Sequence, residues 1–361
     1  MELYVYNGNP PTKIAVAEGF QSVRLSQRYY SPGELEIIAP LGSSIRFQPG
    51  MIVWRRGMEE AYLIETVELR AGENGALQRA LGRTHSALLE RRVLAKAAYY
   101  EGTASHVIAA MIDAVFSAPA RAFPNFIVTI DESLGGAIGV QPQITTLLRA
   151  VADICQGSSL GYRSAFDPIS GNVEFSLYQG TDRANGIAPG RVVFDTAYDT
   201  ISGVSSVEST RTSANAAYVL GEVDSSTHLP KREEVDIQSP TGYERFETLL
   251  RFNRTSATDA GGTMNNAQYR SAMREFGSAA LRKLSRRTVV DGEIRADSRM
   301  YRLYEDYNVG DLVRLRVKEW GVEAAARITS VEQIFENGRE WTKVYLGTDE
   351  PPNPTSESLE T

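Results

Sequence analysis

The chain has 361 residues, 42% of them apolar and 23% charged, the balance of a soluble globular protein too long for one ordinary core. A net charge of −7 argues against a dedicated nucleic-acid binder, while one cysteine and three scattered histidines rule out an internal disulfide and argue against a structural zinc site. The start, Met1-Glu2-Leu3-Tyr4, lacks the basic residue and apolar stretch of a secretory signal, and no apolar run approaches the roughly 18 residues of a membrane span.

The first ninety residues read almost wholly as β. Ile14 and Val16, Val23 and Leu25, then Leu35 and Ile37 alternate with polar neighbours. Pro32-Gly33, Pro49-Gly50 and Glu73-Asn74-Gly75 mark tight turns, and short strands at this spacing predict a small barrel or sandwich. Near residue 85 the period changes. Ser86–Leu94 reads as a short helix, and Thr103–Phe116 as a better one, with Val107, Ile108, Met111, Ile112 and Val115 in an apolar stripe. Phe126–Ile130 is a predicted strand. Ile144–Cys155 is a predicted helix, with Ile144, Leu147, Leu148, Val151 and Ile154 inward and Gly157 as its stop. A hairpin of Gly161–Phe166 with Asn172–Tyr178 completes an α/β insertion between β-rich flanks.

From Arg191 the chain returns to β through Val192–Phe194, Val204–Val207, Ala217–Leu220 and the Glu233–Ile237 region. Thr255–Asn266, rich in Gly, Thr, Ser and Asn, reads as a loop. Ala267–Arg287 reads as the longest helix, with Met273, Phe276, Ala280, Leu281 and Leu284 inward. Arg282, Lys283, Arg286 and Arg287 near its end suit the helix dipole and solvent. Thr342–Leu346 is the last predicted strand. The proline- and serine-rich tail from Pro351 is expected to be disordered unless a partner orders it.

One pattern occurs twice. Gly50-Met51-Ile52-Val53-Trp54, a polar turn and Ala61–Glu68 correspond to Gly310-Asp311-Leu312-Val313-Arg314, a turn at Trp320-Gly321 and Ala326–Glu332. Each copy is a glycine, a β-branched run, a hairpin tip and a strand closing on Ile-x-x-Val-Glu. The second copy is four residues longer, which a hairpin loop absorbs. Two like β units per chain would let a trimer present six like faces.

Candidate chemistry falls away on inspection. Gly157-Ser158-Ser159-Leu160-Gly161 has the G-x-S-x-G pattern of a nucleophile elbow, but a helix runs in and a strand runs out, the reverse of what the elbow needs. Cys155 lies beside the apolar face of its helix, and neither His85, His106 nor His228 stands in a context that would generate a thiolate. Asp131-Glu132 and Glu233-Glu234 read as solvated turns, and Gly135-Gly136 with Gly139 lacks the strand-then-helix context of a phosphate loop. Arg91-Arg92 and Arg282–Arg287 are short, lack interleaved aromatics and read as solvated faces. No catalytic constellation, cofactor or metal site is expected, and the pattern favours a structural role.

Four stretches in order carry a resemblance: Arg28-Tyr29-Tyr30-Ser31-Pro32-Gly33-Glu34-Leu35-Glu36, Leu177-Tyr178-Gln179-Gly180-Thr181-Asp182-Arg183, Tyr307-Asn308-Val309-Gly310-Asp311, and Lys318-Glu319-Trp320-Gly321 running on through Ala325-Ala326-Arg327-Ile328-Thr329 to Glu332. Together they resemble the siphophage tail-tip, or baseplate hub, proteins, related in fold to the hubs of contractile phages. The resemblance implies an α+β, mainly β fold of two similar small β-barrel domains with an α/β insertion between them and a long helix before the last β unit. It implies a homotrimer forming a ring of near-sixfold symmetry, docked on a hexameric tail-tube or distal tail protein. Tip, fibre or receptor-binding proteins and the tape-measure protein are the further partners it implies, with DNA passing through the channel at ejection. The expected place is the tail tip of the virion, after assembly in the bacterial host cytoplasm.

The expected domains are 1–90, a tube-docking β-barrel; 91–188, the insertion; 189–349, a second β-barrel with helix 267–287; and 350–361, a flexible tail. Many such hubs carry a C-terminal peptidoglycan-cleaving domain, whereas this chain ends soon after its second β unit, so it is not expected to be an enzyme. The alternatives are a tail-associated peptidoglycan hydrolase, or the hub of a contractile injection system or gene-transfer particle.

Overall fold

A computed structural model describes residues 1–347 apart from 9, 43–44, 73–74, 96–97, 99, 141, 143, 186–189, 212, 253–254, 257–264, 285–286, 296–299 and 337. The expected tail, the Glu73-Asn74 turn and most of the Thr255–Asn266 loop lie outside the described residues.

The first unit comprises β1 (Leu3–Asn7), β2 (Thr12–Ala17), β3 (Ser22–Arg28), β4 (Glu34–Pro40), β5 (Ile52–Trp54), β6 (Tyr62–Gly72) and β7 (Gly75–Thr84). The insertion then runs β8 (Val93–Leu94), β9 (Tyr100–Thr103), α1 (Ala104–Phe116), β10 (Phe126–Val128), β11 (Ala137–Val140), β12 (Thr145–Thr146), α2 (Leu147–Ser158), β13 (Gly161–Phe166) and β14 (Val173–Tyr178). Next come β15 (Val193–Asp195), β16 (Ser202–Ser209), β17 (Ala216–Val223), β18 (Pro230–Asp236), β19 (Glu247–Arg251) and α3 (Asn266–Lys283). The chain closes with β20 (Arg287–Arg295), β21 (Leu312–Val317), β22 (Val322–Glu336) and β23 (Arg339–Gly347). The fold class is the expected one: mainly β, with two like β units flanking an α/β insertion and a helix ahead of the last strands.

Local chemistry explains most element ends. Thr103 caps α1 by accepting the His106 N–H, and Thr146 caps α2 by accepting that of Arg149. Asn265 and Gln268 form a reciprocal capping box at the start of α3. The α1 stripe Val107, Ile108, Met111, Ile112 and Val115 is buried, packed with Val151, Cys155 and Phe175 in the insertion core.

Several expectations are corrected. Ser86–Leu94 is not an α-helix but a 3-10 segment over His85–Arg91, which has no side-chain cap and is held by burial of His85, Ser86 and Leu89. Helix α2 begins at Leu147, so Ile144 is 68% exposed rather than inward. It also runs through Gly157, because Ser159 takes the left-handed stop position. Helix α3 ends at Lys283, and Arg287 instead opens β20, a strand whose pairing with β23 no local pattern announces. Helix α3 packs on the separate three-stranded sheet β18-β17-β19, where Tyr269 and Met273 meet Val219 and Phe252. Ile14 and Val16 alternate as read, but on the edge strand β2 both are largely exposed.

The two β units are halves of one 13-stranded sheet. In the first, the order β3-β4-β7-β6-β5 is antiparallel throughout; in the second, β16-β20-β23-β22-β21 repeats that order, direction and chain sequence. The small β17–β19/α3 layer is interpolated between β16 and β20. Strand β22 pairs first with β21, then bulges between Ile328 and Ser330, and its second half takes β3 as neighbour, which joins the units.

Candidate assembly site

The repeat read in the sequence is a repeat of backbone geometry. In the first unit Met51 N–H donates to Gln48 O at 3.2 Å around Pro49-Gly50; in the second Asp311 N–H donates to Asn308 O at 3.2 Å around Val309-Gly310. Gly50 and Gly310 have φ of +92° and +94°, the positive value a type II turn requires at its third residue. Gly50 N–H then donates to Ile64 O and Ile64 N–H to Met51 O; Gly310 N–H donates to Ile328 O and Ile328 N–H to Asp311 O, all at 2.7–2.8 Å. The next residue in each strand, Glu65 or Thr329, is a bulge.

Charges repeat as well. Arg79 on β7 lies 2.7 Å from Glu36 on β4 and 3.6 Å from Glu68 on β6. At the matching places Lys343 on β23 lies 2.5 Å from Asp291 on β20 and opposite Glu332 on β22. Burial raises the pKa of Glu332, while the Arg24, Lys343 and Arg28 charges pull it down.

The insertion docks where the copies differ. Met51 in the first unit is matched by Asp311 in the second, and that buried carboxylate collects three donors. Oδ1 accepts Thr181 N–H at 2.9 Å; Oδ2 accepts Asn308 N–H at 3.0 Å and Arg183 Nε at 2.6 Å. The backbone follows, with Leu312 N–H donating to Thr181 O and Arg183 N–H to Leu312 O. Beside this knot the fully buried Tyr29 from the end of β3 donates its hydroxyl to Ser159 O at 2.9 Å and accepts Gly180 N–H at 3.4 Å. Its ring meets the rings of Tyr30 and Tyr178 edge-on, and the Arg327 guanidinium stands 5.2 Å over it. Arg327 also donates to Gly310 O at 2.5 Å. A Cβ at Gly180 would collide with the Gly310 carbonyl, so the close approach of insertion and second unit demands glycine there.

A second contact ties the insertion to the first unit. Glu60 is 5% exposed, and its Oε1 accepts both the N–H and the hydroxyl of Ser164, at 2.8 and 2.9 Å. Burial pushes its pKa up to about 7 against the pull of those donors. Nearby, burial pushes His85 down to about 4, and its neutral ring donates from Nδ1 to Ala61 O. Glu60 thus contributes most stability below the ordinary carboxylate pKa of 4.5, and that contribution is lost as pH rises through 7. Relative to Glu60→Gln, which does not titrate, the natural chain is expected to lose up to about 3 kcal/mol between pH 4.5 and 8. Urea denaturation of both proteins across that range reads the difference; a constant difference would show that Glu60 is already ionised in the fold.

The sequence-derived residues therefore fall into separate places. Tyr30, Gly180, Asp182, Arg183, Gly310, Asp311 and Arg327 gather where the three parts of the chain meet. Pro32, Gly33 and Glu34 lie at the β3–β4 turn, where Gly33 N–H donates to Thr84 Oγ1 and Glu34 pairs with Arg28 at 3.3 Å. Glu332 lies in the junction strand opposite Ser26. Glu319, Trp320 and Gly321 form the β21–β22 hairpin tip, with Trp320 44% exposed and Glu319 accepting the Thr196 hydroxyl. The sequence does not set Tyr29 apart from its neighbour Tyr30, and it gives no sign of Glu60, Thr84 and Ser164. A lone Glu or Ser carries no periodic signal. Tyr29 stood inside a quoted stretch, and only its central packing sets it apart. Of the rejected nucleophiles, Cys155 is buried in the insertion core and Ser159 is the α2 cap.

The family model described as Siphovirus ReqiPepy6 Gp37-like protein matches residues 2–348. No curated protein sequence matches the chain. Among solved structures, the chain is similar to the tail protein from Neisseria meningitidis MC58, with a TM-score of 0.58 at 12% identity, covering 96% of this chain and 95% of that one. It is similar to prophage tail protein gp18 from Listeria monocytogenes EGD-e, with a TM-score of 0.55 at 12% identity over 100% and 98% of the two chains. The 43 kDa tail protein of prophage MuSo2 from Shewanella oneidensis gives 0.58 at 12% identity over 96% and 98%. At that identity these likenesses are likenesses of fold. The family match over nearly the whole length shows that the chain belongs to the Siphovirus ReqiPepy6 Gp37-like family.

Proposed function

We propose that this tail protein is a homotrimeric tail-tip hub that closes the distal end of the tail tube and joins it to tip or receptor-binding components. The observation that carries this reading is the internal duplication: one chain supplies two units with the same strand order, turn, bulge and cross-strand charges. Three chains would then offer six like faces to a hexameric tube or distal tail protein. On this reading 1–90 and 189–349 are the ring-forming units, 91–188 is the insertion that braces them, and the knot at Tyr29, Asp311 and Arg327 holds the three together. The exposed β21–β22 tip with Glu319 and Trp320 is a contact for neighbouring tail components. DNA would pass through the lumen, and the tape-measure protein would meet the hub from above. A trimer of chains each carrying −7 would discourage DNA from sticking if the acidic side chains face that lumen.

Multi-angle light scattering is expected to return three times the chain mass of 39.7 kDa. Electron microscopy of virions is expected to place the chain at the end of the tube away from the capsid. A stable monomer together with a capsid location would overturn the proposal.

A further inference from the structure

The sheet has two edges whose repeat-equivalents are already paired to each other. The second half of β22 is covered by β3, with Ser330 opposite Arg28, Glu332 opposite Ser26, Gln333 opposite Leu25 and Ile334 opposite Arg24. The repeat assigns counterparts to both strands. Through the shared bulge, Ser330–Ile334 of β22 corresponds to Thr66–Arg70 of β6. Arg24 and Leu25 of β3 face Glu36 and Leu35 of β4, while Ser205 and Ser206 of β16 face Asp291 and Val290 of β20. Because Glu36 and Asp291 hold matching places in the charge ladder, Arg24–Arg28 corresponds to Ser205–Ser209.

Yet β16 is the terminal strand of the sheet, and from Thr66 onward β6 is paired on its β7 side only, among the described residues. Along these edges Thr66, Leu69, Arg70, Ser205, Ser206 and Val207 are exposed, Leu69 at 48% and Val207 at 65%. Open strand edges of this length invite another strand. Within one chain the two edges lie on different units, separated by β20, β23, β22, β3, β4 and β7 in the sheet order.

We infer that the occupant is a second copy of this chain: β16 of one copy adds antiparallel to the outer edge of β6 in the next. The register copies the internal junction. Thr66 faces Ser209, Glu68 faces Val207, Leu69 faces Ser206 and Arg70 faces Ser205. The surface is heterologous, since each copy gives β16 and receives on β6, so repeated addition makes a closed ring when the step between units divides the circle. The number of copies in that ring rests on the trimeric reading above; the strand pairing does not.

The test is a disulfide in the full-length chain. Residues directly opposite in an antiparallel ladder have Cα atoms about 4.5–5.5 Å apart, within disulfide reach. Leu69→Cys with Ser206→Cys, both at exposed positions, is expected to give a covalent ladder of copies under mild oxidation, while either substitution alone stops at a dimer or below. Cys155 is buried and serves as an internal bystander. Leu69→Cys with Val207→Cys puts the thiols on opposite sheet faces and is expected to link about tenfold less. If the second pair links better than the first, the register is overturned.

Light scattering of the same samples separates the two claims. A trimer of the Leu69→Cys, Ser206→Cys variant in which both introduced thiols stay reduced would sink the edge pairing and leave the hub reading standing. Efficient linking in an assembly of another size would keep the pairing and sink the trimer. A monomer without links would sink both.

Discussion

Gly310→Ala is expected to destabilise the chain by at least about 3 kcal/mol, and Gly50→Ala by only about 1–2 kcal/mol, although the two glycines occupy the same turn. Both have φ near +90°, so both alanines suffer the backbone strain of a left-handed conformation. The surroundings decide the rest. A Cβ at Gly50 meets nothing within 4 Å, whereas a Cβ at Gly310 collides with the Tyr29 ring. That ring cannot retreat, because Tyr178 packs edge-on to it, Arg327 covers it, and a Cβ-sized gap is already filled on its Gly161 side. Urea midpoints for the two variants measure the contrast. Equal losses would mean that Tyr29 yields and is not the rigid centre of the site.

Asp311→Ala is expected to cost about 3–5 kcal/mol, the range for removing one partner of a buried ion pair. It strands the Thr181 and Asn308 N–H groups and the Arg183 guanidinium at once. Asp311→Asn is expected to recover only a small part, because its amide keeps one acceptor and turns a donor toward Arg183 or Asn308. A double-mutant cycle with Arg183→Ala separates the ion pair from the backbone bonds. Limited proteolysis of Asp311→Ala is expected to release the insertion before either β unit is cut. If cleavage instead starts within β21–β22, the carboxylate braces its own hairpin and not the insertion. The first unit has Met51 in this place, and that side chain is buried in the unit's own apolar core, where no donors converge on it from the insertion.

Local order was written in local residues. The Gly50 and Gly310 motifs, the stripe Val107–Val115 and the hairpin of Gly161–Phe166 with Asn172–Tyr178 each draw on neighbours a few residues away, and the structure has them as read. Where a boundary depended on distant pairing, the reading slipped. Arg287 continued a helical charge pattern, yet pairing with Ser209 of β16 makes it a strand residue; β19 forms only because β17 lies parallel beside it. The corrected position of Ile144 has the same origin, since Thr145 and Thr146 pair with Leu94 and Val93 and the helix capped by Thr146 starts three residues later than the apolar pattern suggested.

By itself the sequence determined the mainly β class, the insertion and the duplication, because glycine turns and period-two strands are short-range chemistry and a duplicated string is visible without coordinates. Tertiary structure alone decided that the duplicated hairpins share one sheet, that β3 closes on β22, and that Tyr29, Asp311 and Arg327 converge. Apart from the Arg327–Gly310 bond, those contacts join residues more than a hundred positions apart. Their partners are chosen by shape, burial and unsatisfied donors, none of which leaves a period in the chain.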